Sequence, residues 1–120
     1  MKQHITVEQG LSLSKEALDR YVAFTTQKGW ADNKLPHENI LWNIGQMIEF
    51  IDEQTYTDDQ GKHPWKGNWQ MSRPIGQWVI ELYMHNPYPD TEYGHKIISR
   101  GDELCDALWA ACKQILESSF

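Results

Sequence analysis

With 120 residues, 40% of them hydrophobic and 23% charged, the chain has the size and mixture of one globular domain able to bury a core without staples. Its formal net charge of −6 excludes a general duplex-nucleic-acid binder, which needs an excess of Lys and Arg to displace phosphate counterions. No apolar run approaches the ~18 residues of a membrane span, and the opening MKQHITVEQG lacks the apolar stretch of a signal peptide, so a cytoplasmic protein is expected.

In chain order, residues 1–13 are mixed in character and expected to be loosely ordered. Thr6 and Gln9 nevertheless have capping-box spacing, which predicts a short helical turn. The first full helix is predicted from Ser14, as N-cap, to Lys28. Its apolar face is Leu18, Tyr21 and Val22, flanked by Ala17 and Phe24, and Gly29 is its stop. A second helix is predicted to open at Pro36, where a missing N–H costs nothing, and to carry the stripe Ile40, Leu41, Ile44, Met47, Ile48, Ile51 through Glu53. Gly45 beside that stripe predicts close approach by another element. Asn43, Gln46, Glu49 and Asp52 fall on the opposite face.

Residues 54–74 read as a long loop punctuated by Gly61, Pro64 and Gly67, with a short strand beginning near Asn68. The clearest strand is Gln77 to His85, with Trp78, Ile80, Leu82 and Met84 on one face and Val79, Glu81, Tyr83 and His85 on the other. After the turn Asn-Pro-Tyr-Pro-Asp, a second strand over Glu92 to Ile98 completes a predicted antiparallel hairpin. The last helix has start signals at Ser99 and Asp102 and runs to Glu117. Leu104, Leu108, Ala111, Cys112 and Ile115 form its core stripe, widened by Cys105, Trp109 and Leu116. Acids gather in its first turns and Lys113 near its end, which suits the helix dipole. Cys105 and Cys112 stand about 10 Å apart on that helix, beyond the ~7 Å reach of a disulfide, and read as small apolar core residues in a reducing compartment. The expected fold class is therefore α+β: one domain over residues 1–120, in the order α-α-β-β(-β)-α, with a small antiparallel β-sheet packed against helices.

The words IGQMIEF (44–50) and ELCDALWAACKQIL (103–116), with a Trp-led strand between them, resemble a family of small uncharacterised phage and prophage proteins of Firmicutes. Those proteins often read IGQMIEFL, then a Trp-containing strand, then LCDALW-A-K--L. The early segment ITVEQGLSLSKEALDRY is similar in flavour to their N-termini, and the layout is similar to phage α-β-α sandwich domains. The chain departs from the pattern at the KHPWKGNW loop and at Trp42-Asn43. The resemblance implies a phage context and a fold, and it carries no catalytic residues.

Charge is unevenly spread. From Gln60 to Ile80 there are three cations and no carboxylate, a local +3 against the net −6, which leaves −9 on the remainder. Within this stretch Lys62, His63, Trp65, Lys66, Trp69 and Arg73 are the candidate ligand-binding residues. Cations hold phosphate through charge-assisted hydrogen bonds, and a Trp face stacks a base or ring. The plainer alternative is a loop whose Trp residues cover the sheet edge. Six Trp exceed what one small core hides, so several are expected at a surface, groove or interface, and homo-oligomerisation is a further expectation.

His85 and His95 could face each other across the hairpin near Asp90, but solvated strand-end histidines explain them more simply, and no metal or cofactor is expected. Glu81 and Glu92 could be cross-hairpin neighbours, and Asp58-Asp59 reads as a solvated turn; no nucleophile or base accompanies either pair. GxSxG, HExxH, P-loop and GxGxxG words are absent. The expected function is a non-catalytic phage accessory binding protein acting in the host cytoplasm, interfering with host defence in one of two modes. It would sequester a nucleotide-like immune signal, or block a host defence protein with the acidic remainder. The alternatives are a small hydrolase using His85, His95 and nearby acids, and an immunity-type or structural assembly protein.

Overall fold

The structure, a computed structural model, describes residues 2–31, 40–55, 69–83 and 96–117. Four helices and three strands occur in these segments: α1 (Val7–Leu11), α2 (Lys15–Gln27), α3 (Ile44–Thr55), β1 (Gln70–Ser72), β2 (Trp78–Tyr83), β3 (Lys96–Gly101) and α4 (Leu104–Glu117). The strands form one antiparallel sheet in the order β1-β2-β3. The α+β class, with a small antiparallel sheet packed against helices, is thus the observed architecture.

Local chemistry sets the helix ends. Thr6 and Gln9 form the expected capping box on α1, each side chain meeting the other's backbone N–H. The Ser14 hydroxyl accepts from Ala17 N at 3.2 Å and starts α2. At the far end Gly29 takes φ +72°, the left-handed conformation that closes a helix cheaply only for glycine. Asn43 and Gln46 form a second box: the Asn43 carboxamide accepts from Gln46 N at 2.8 Å, and the Gln46 side chain accepts from Asn43 N at 2.9 Å.

That second box corrects the predicted helix start. Pro36 lies outside the described residues, and residues 40–43 are not helical. Ile5 N donates to Trp42 O and Ile44 N to Gln3 O, so the segment pairs with the N-terminus, and His4 bridges Asn43. Tertiary pairing plus a strong cap override the apolar rhythm of Ile40 and Leu41. The same pairing corrects the expectation of a loose N-terminus: Ile5 is fully buried, and Lys2 Nζ donates to both Gln9 and Asp106. Gly45 is exposed, and a Cβ there would meet only the Asn43 side chain, so it permits no close approach. The close approach is at Gly101, where a Cβ would lie 2.9 Å from the backbone N of Ala107.

α4 is the hub, touching α2, α3, β2 and β3. Its predicted stripe is buried from Cys105 to Leu116, with Leu104 half-buried, and both cysteines are free thiols. Opposite it, Trp42 is 1% exposed and sits among Tyr21, Phe24, Trp30, Phe50 and Trp109, with centroids 4.5 Å from Tyr21 and 5.0 Å from Phe50. Replacing such a ring by Ala costs about 3–5 kcal/mol. Trp42 and Trp109 are therefore core, while Trp30, Trp69 and Trp78 are half-buried against it. Two of the six Trp thus serve the core, three are partly exposed, and Trp65 lies outside the described residues.

The strands are displaced from their predicted bounds. β1 is the short strand expected near Asn68, found two residues on at Gln70–Ser72, while β3 runs on to Gly101, so Ser99 is a strand residue and not a helix start. Ser99 is buried opposite Ile80 beneath α4, where it accepts from Gln114 Nε2 at 3.0 Å. Ile98, not a carboxylate, stands opposite Glu81; Glu92 lies outside the described residues.

Candidate functional site

Of the six predicted ligand residues, Lys62, His63, Trp65 and Lys66 lie outside the described residues. Trp69 and Arg73 are described, and the structure does not bring them together. They bracket the three-residue strand β1, about 13 Å apart at ~3.3 Å per residue. The Trp69 indole N–H donates to the Asp52 carboxylate on α3, which draws the half-buried ring toward the helices and away from use as an open stacking face.

Arg73 does pair with a Trp, but with Trp78. Ser72 and Val79 are cross-strand partners, so residues 73 and 78 form the next rung. There the Arg73 guanidinium lies 5.7 Å from the Trp78 ring centroid, a cation–π contact. The aromatic neighbour of Arg73 is therefore Trp78, which is not among the six residues named from the sequence.

Between these two residues the chain turns through Pro74, Ile75, Gly76 and Gln77, with Gly76 at φ +75°. The turn thrusts Ile75 into solvent at 90% exposure, the most exposed of the large apolar side chains among the described residues. Beside it, on the sheet face turned away from α4, Ser72, Val79 and Arg100 form one row across all three strands. Pro74, Ile75, Gln77, Val79 and Arg100 line an open depression of about 130 Å³. Val79 is its buried floor at 8% exposure, and Arg100 is exposed at its side. Gln77 also reaches Asp102 at 3.5 Å, which sets one carboxylate near the patch.

Two of the chain's three arginines therefore flank one protruding isoleucine. The depression is well below the ~300–1,000 Å³ of typical small-molecule sites, so the patch is shaped as a contact surface and not as an enclosing pocket. Arg100 and Val79 were missed as site residues because β3 was expected to end at Ile98, and Ile75 because nothing local marks which side chain of the β1–β2 turn protrudes. No local signal sets Arg100 beside Val79; their alignment follows from the register of β2 with β3.

His85, His95, Asp90, Asp58 and Asp59 lie outside the described residues. Among the described residues no group of three or more His, Cys, Asp and Glu side chains could hold a metal ion. The His4 ring nitrogen Nδ1 lies 2.8 Å from the carbonyl of Ile5. Cys105 and Cys112 are buried on α4, and burial pushes both thiols above their ordinary pKa, which suits packing and opposes nucleophilic use. No described helix is long and apolar enough to cross a membrane. Compared with known proteins, the chain matches no family model, no curated protein and no solved structure.

Proposed function

We propose that this chain is a non-catalytic binding protein whose β1–β2 turn docks on an acidic surface of a protein partner. In the phage context that the sequence resemblance implies, that partner is a host defence protein. One observation carries the reading: Ile75 stands 90% exposed between Arg73 and Arg100 in a chain of net charge −6. Arginine with an apolar anchor is the composition favoured at interface cores, while an exposed isoleucine on a tight turn adds nothing to folding. The sequestration of a nucleotide-like anion is the second mode. It draws on the Arg73–Trp78 pair, but the neighbouring depression is too shallow to enclose a nucleotide.

The test is affinity capture from host cells, with wild type, Ile75→Asp, Arg100→Glu and the remote control Glu8→Ala as baits. A partner retained by wild type and Glu8→Ala but lost by both patch variants supports the reading. Equal capture by all four baits rejects it. Calorimetry with cyclic dinucleotides and ADP-ribose separates the modes: saturable heat that Arg73→Ala abolishes supports the nucleotide mode instead.

A further inference from the structure

Two of the half-buried tryptophans, Trp69 and Trp78, stand near one edge of the sheet. The strand order makes β1 that edge, with β2 as its one strand neighbour. Gln70, Met71 and Ser72 are all exposed, and none of them carries a charge. Proteins guard such edges with Lys, Glu or Pro, because unpaired backbone N–H and C=O groups are a template for another strand. β1 has no such guard within it, and Pro74 comes only after its end.

The side chains beside this edge are those of an interface. Alternation along the strand puts Trp69, Met71 and Arg73 on the face that carries Ile80, the cross-strand partner of Met71. Met71 is 41% exposed there. Trp69 is anchored by its indole N–H on Asp52, and Arg73 lies against the Trp78 ring. Trp, Met and Arg are the types enriched where proteins meet, and from Gln60 to Ile80 there is no Asp or Glu, the types depleted there.

The occupant that an open edge selects is an extended strand, and this edge is complementary to itself. In the antiparallel register centred on Met71, Met71 faces Met71 of a second copy across the two-fold axis. Gln70 then faces Ser72, and Trp69 faces Arg73. Each pair recurs on the other side of the axis, as an isologous contact requires, and no like charges are opposed. A one-residue slip would set facing side chains on opposite sides of the sheet. A two-residue shift toward the turn would set Gln70 against Pro74, which has no N–H to donate. We propose that the protein forms a two-fold dimer through the free edge of β1, paired antiparallel about Met71, which joins the two sheets into one. A ladder this short buries little surface, so the dissociation constant should fall near ~10–100 µM. The pairing does not depend on the docking role of the β1–β2 turn, because Ile75 lies past the paired residues.

The test is sedimentation velocity of the whole chain over about 1–500 µM, where a monomer should give way to a dimer as concentration rises. Met71→Arg and Met71→Glu each place two like charges on the axis and should weaken dimerisation at least tenfold. Position 71 is exposed, so both variants should keep the wild-type circular dichroism spectrum. Mixed in equal amounts, they set opposite charges face to face and should recover the dimer as a heterodimer, identified by mass in native mass spectrometry. Only a residue that faces its own copy is rescued in this way. Ile75→Asp should keep the wild-type dissociation constant. The proposal is overturned if the wild type stays monomeric throughout the series, if Met71→Arg dimerises as the wild type does, or if the mixture stays monomeric.

Discussion

The indole N–H of Trp42 donates to the Thr25 hydroxyl oxygen at 2.8 Å, and that hydroxyl donates in turn to the Tyr21 carbonyl at 2.7 Å. All three residues are buried, so a polar relay runs through the centre of an aromatic cluster. Tyr21 extends it, its hydroxyl donating to the Ile40 carbonyl, and burial holds that phenol well above its ordinary pKa. The relay ties α2 to the non-helical segment before α3 and fixes which way the large Trp42 ring faces.

Thr25→Val keeps the shape of the side chain and removes both bonds. It leaves the Trp42 N–H buried without a partner, an expected loss of about 1–3 kcal/mol. Thr25→Ser keeps the hydroxyl and should lose less. Urea denaturation followed by Trp fluorescence measures both, and an unchanged slope with a lower midpoint identifies a stability effect. Equal midpoints for wild type and Thr25→Val would show that the relay is not stabilising.

This relay also marks where the sequence was legible and where it was not. Tyr21 and the α4 stripe were readable because helical periodicity reports one buried face and tolerates errors at the ends. Thr25 was not, because a polar residue on a helix face reads as solvent-facing unless its partner is known, and that partner comes from Trp42, 17 residues away. The start of α3 failed for a related reason: the pairing of Ile5 and Gln3 with Trp42 and Ile44 is long-range, and nothing local announces it. The candidate site failed by register. Arg73 was named, but its aromatic partner and its companion Arg100 follow from which rungs of three strands align, and β3 extends three residues past its expected end.

Two glycines should respond to alanine with opposite signs. At Gly101 the new Cβ meets the Ala107 backbone N at 2.9 Å, and a backbone atom at the start of α4 cannot swing aside. Separating β3 from α4 should cost about 1–3 kcal/mol, as overpacking does elsewhere. At exposed Gly45 the new Cβ meets the Asn43 Oδ1 at an ordinary 3.4 Å within helix α3. Gly45→Ala should gain up to about 1 kcal/mol from helix propensity. Thermal melts of the two variants check the pair, and a stabilising Gly101→Ala would contradict the packing described here.

Acid sensitivity should trace in part to the N-terminal clasp. The ammonium of Lys2 donates to Asp106 at 2.6 Å and holds that carboxyl below its usual pKa, with Gln9 Nε2 adding a bond at 3.0 Å. A carboxyl whose pKa is lowered by folding stabilises the fold above its unfolded value of about 3.9 and loses that contribution as pH falls toward the folded value. The Asp106 side chain is 40% exposed, so screening limits the effect to below about 1 kcal/mol. Lys2→Met should therefore lower the urea midpoint slightly at about pH 6.5 and by less at about pH 3. A deficit of the same size at both values would assign the loss to packing of the Lys2 stem instead.

The two thiols offer a readout of how the molecule opens. Cys112 is fully buried, with its Sγ 3.8 Å from the Met47 carbonyl on α3, and Cys105 is buried near the first turn of α4. Burial raises both pKa values, and the thiolate is the reacting form, so neither should react with Ellman's reagent in the native state at neutral pH. Both should react in strong denaturant. If Cys112 is reached only by global unfolding, each ~1.4 kcal/mol lost in a variant such as Gly101→Ala should speed its labelling roughly tenfold. Cys105 lies within the field of Lys2, beside the clasp that pins residues 2–9 to α4. Opening of that clasp alone should expose it, so Lys2→Met should accelerate Cys105 more than Cys112, as mass spectrometry of the labelled peptides would resolve. Equal acceleration of both would show that the N-terminal segment and the helical core unfold as one unit.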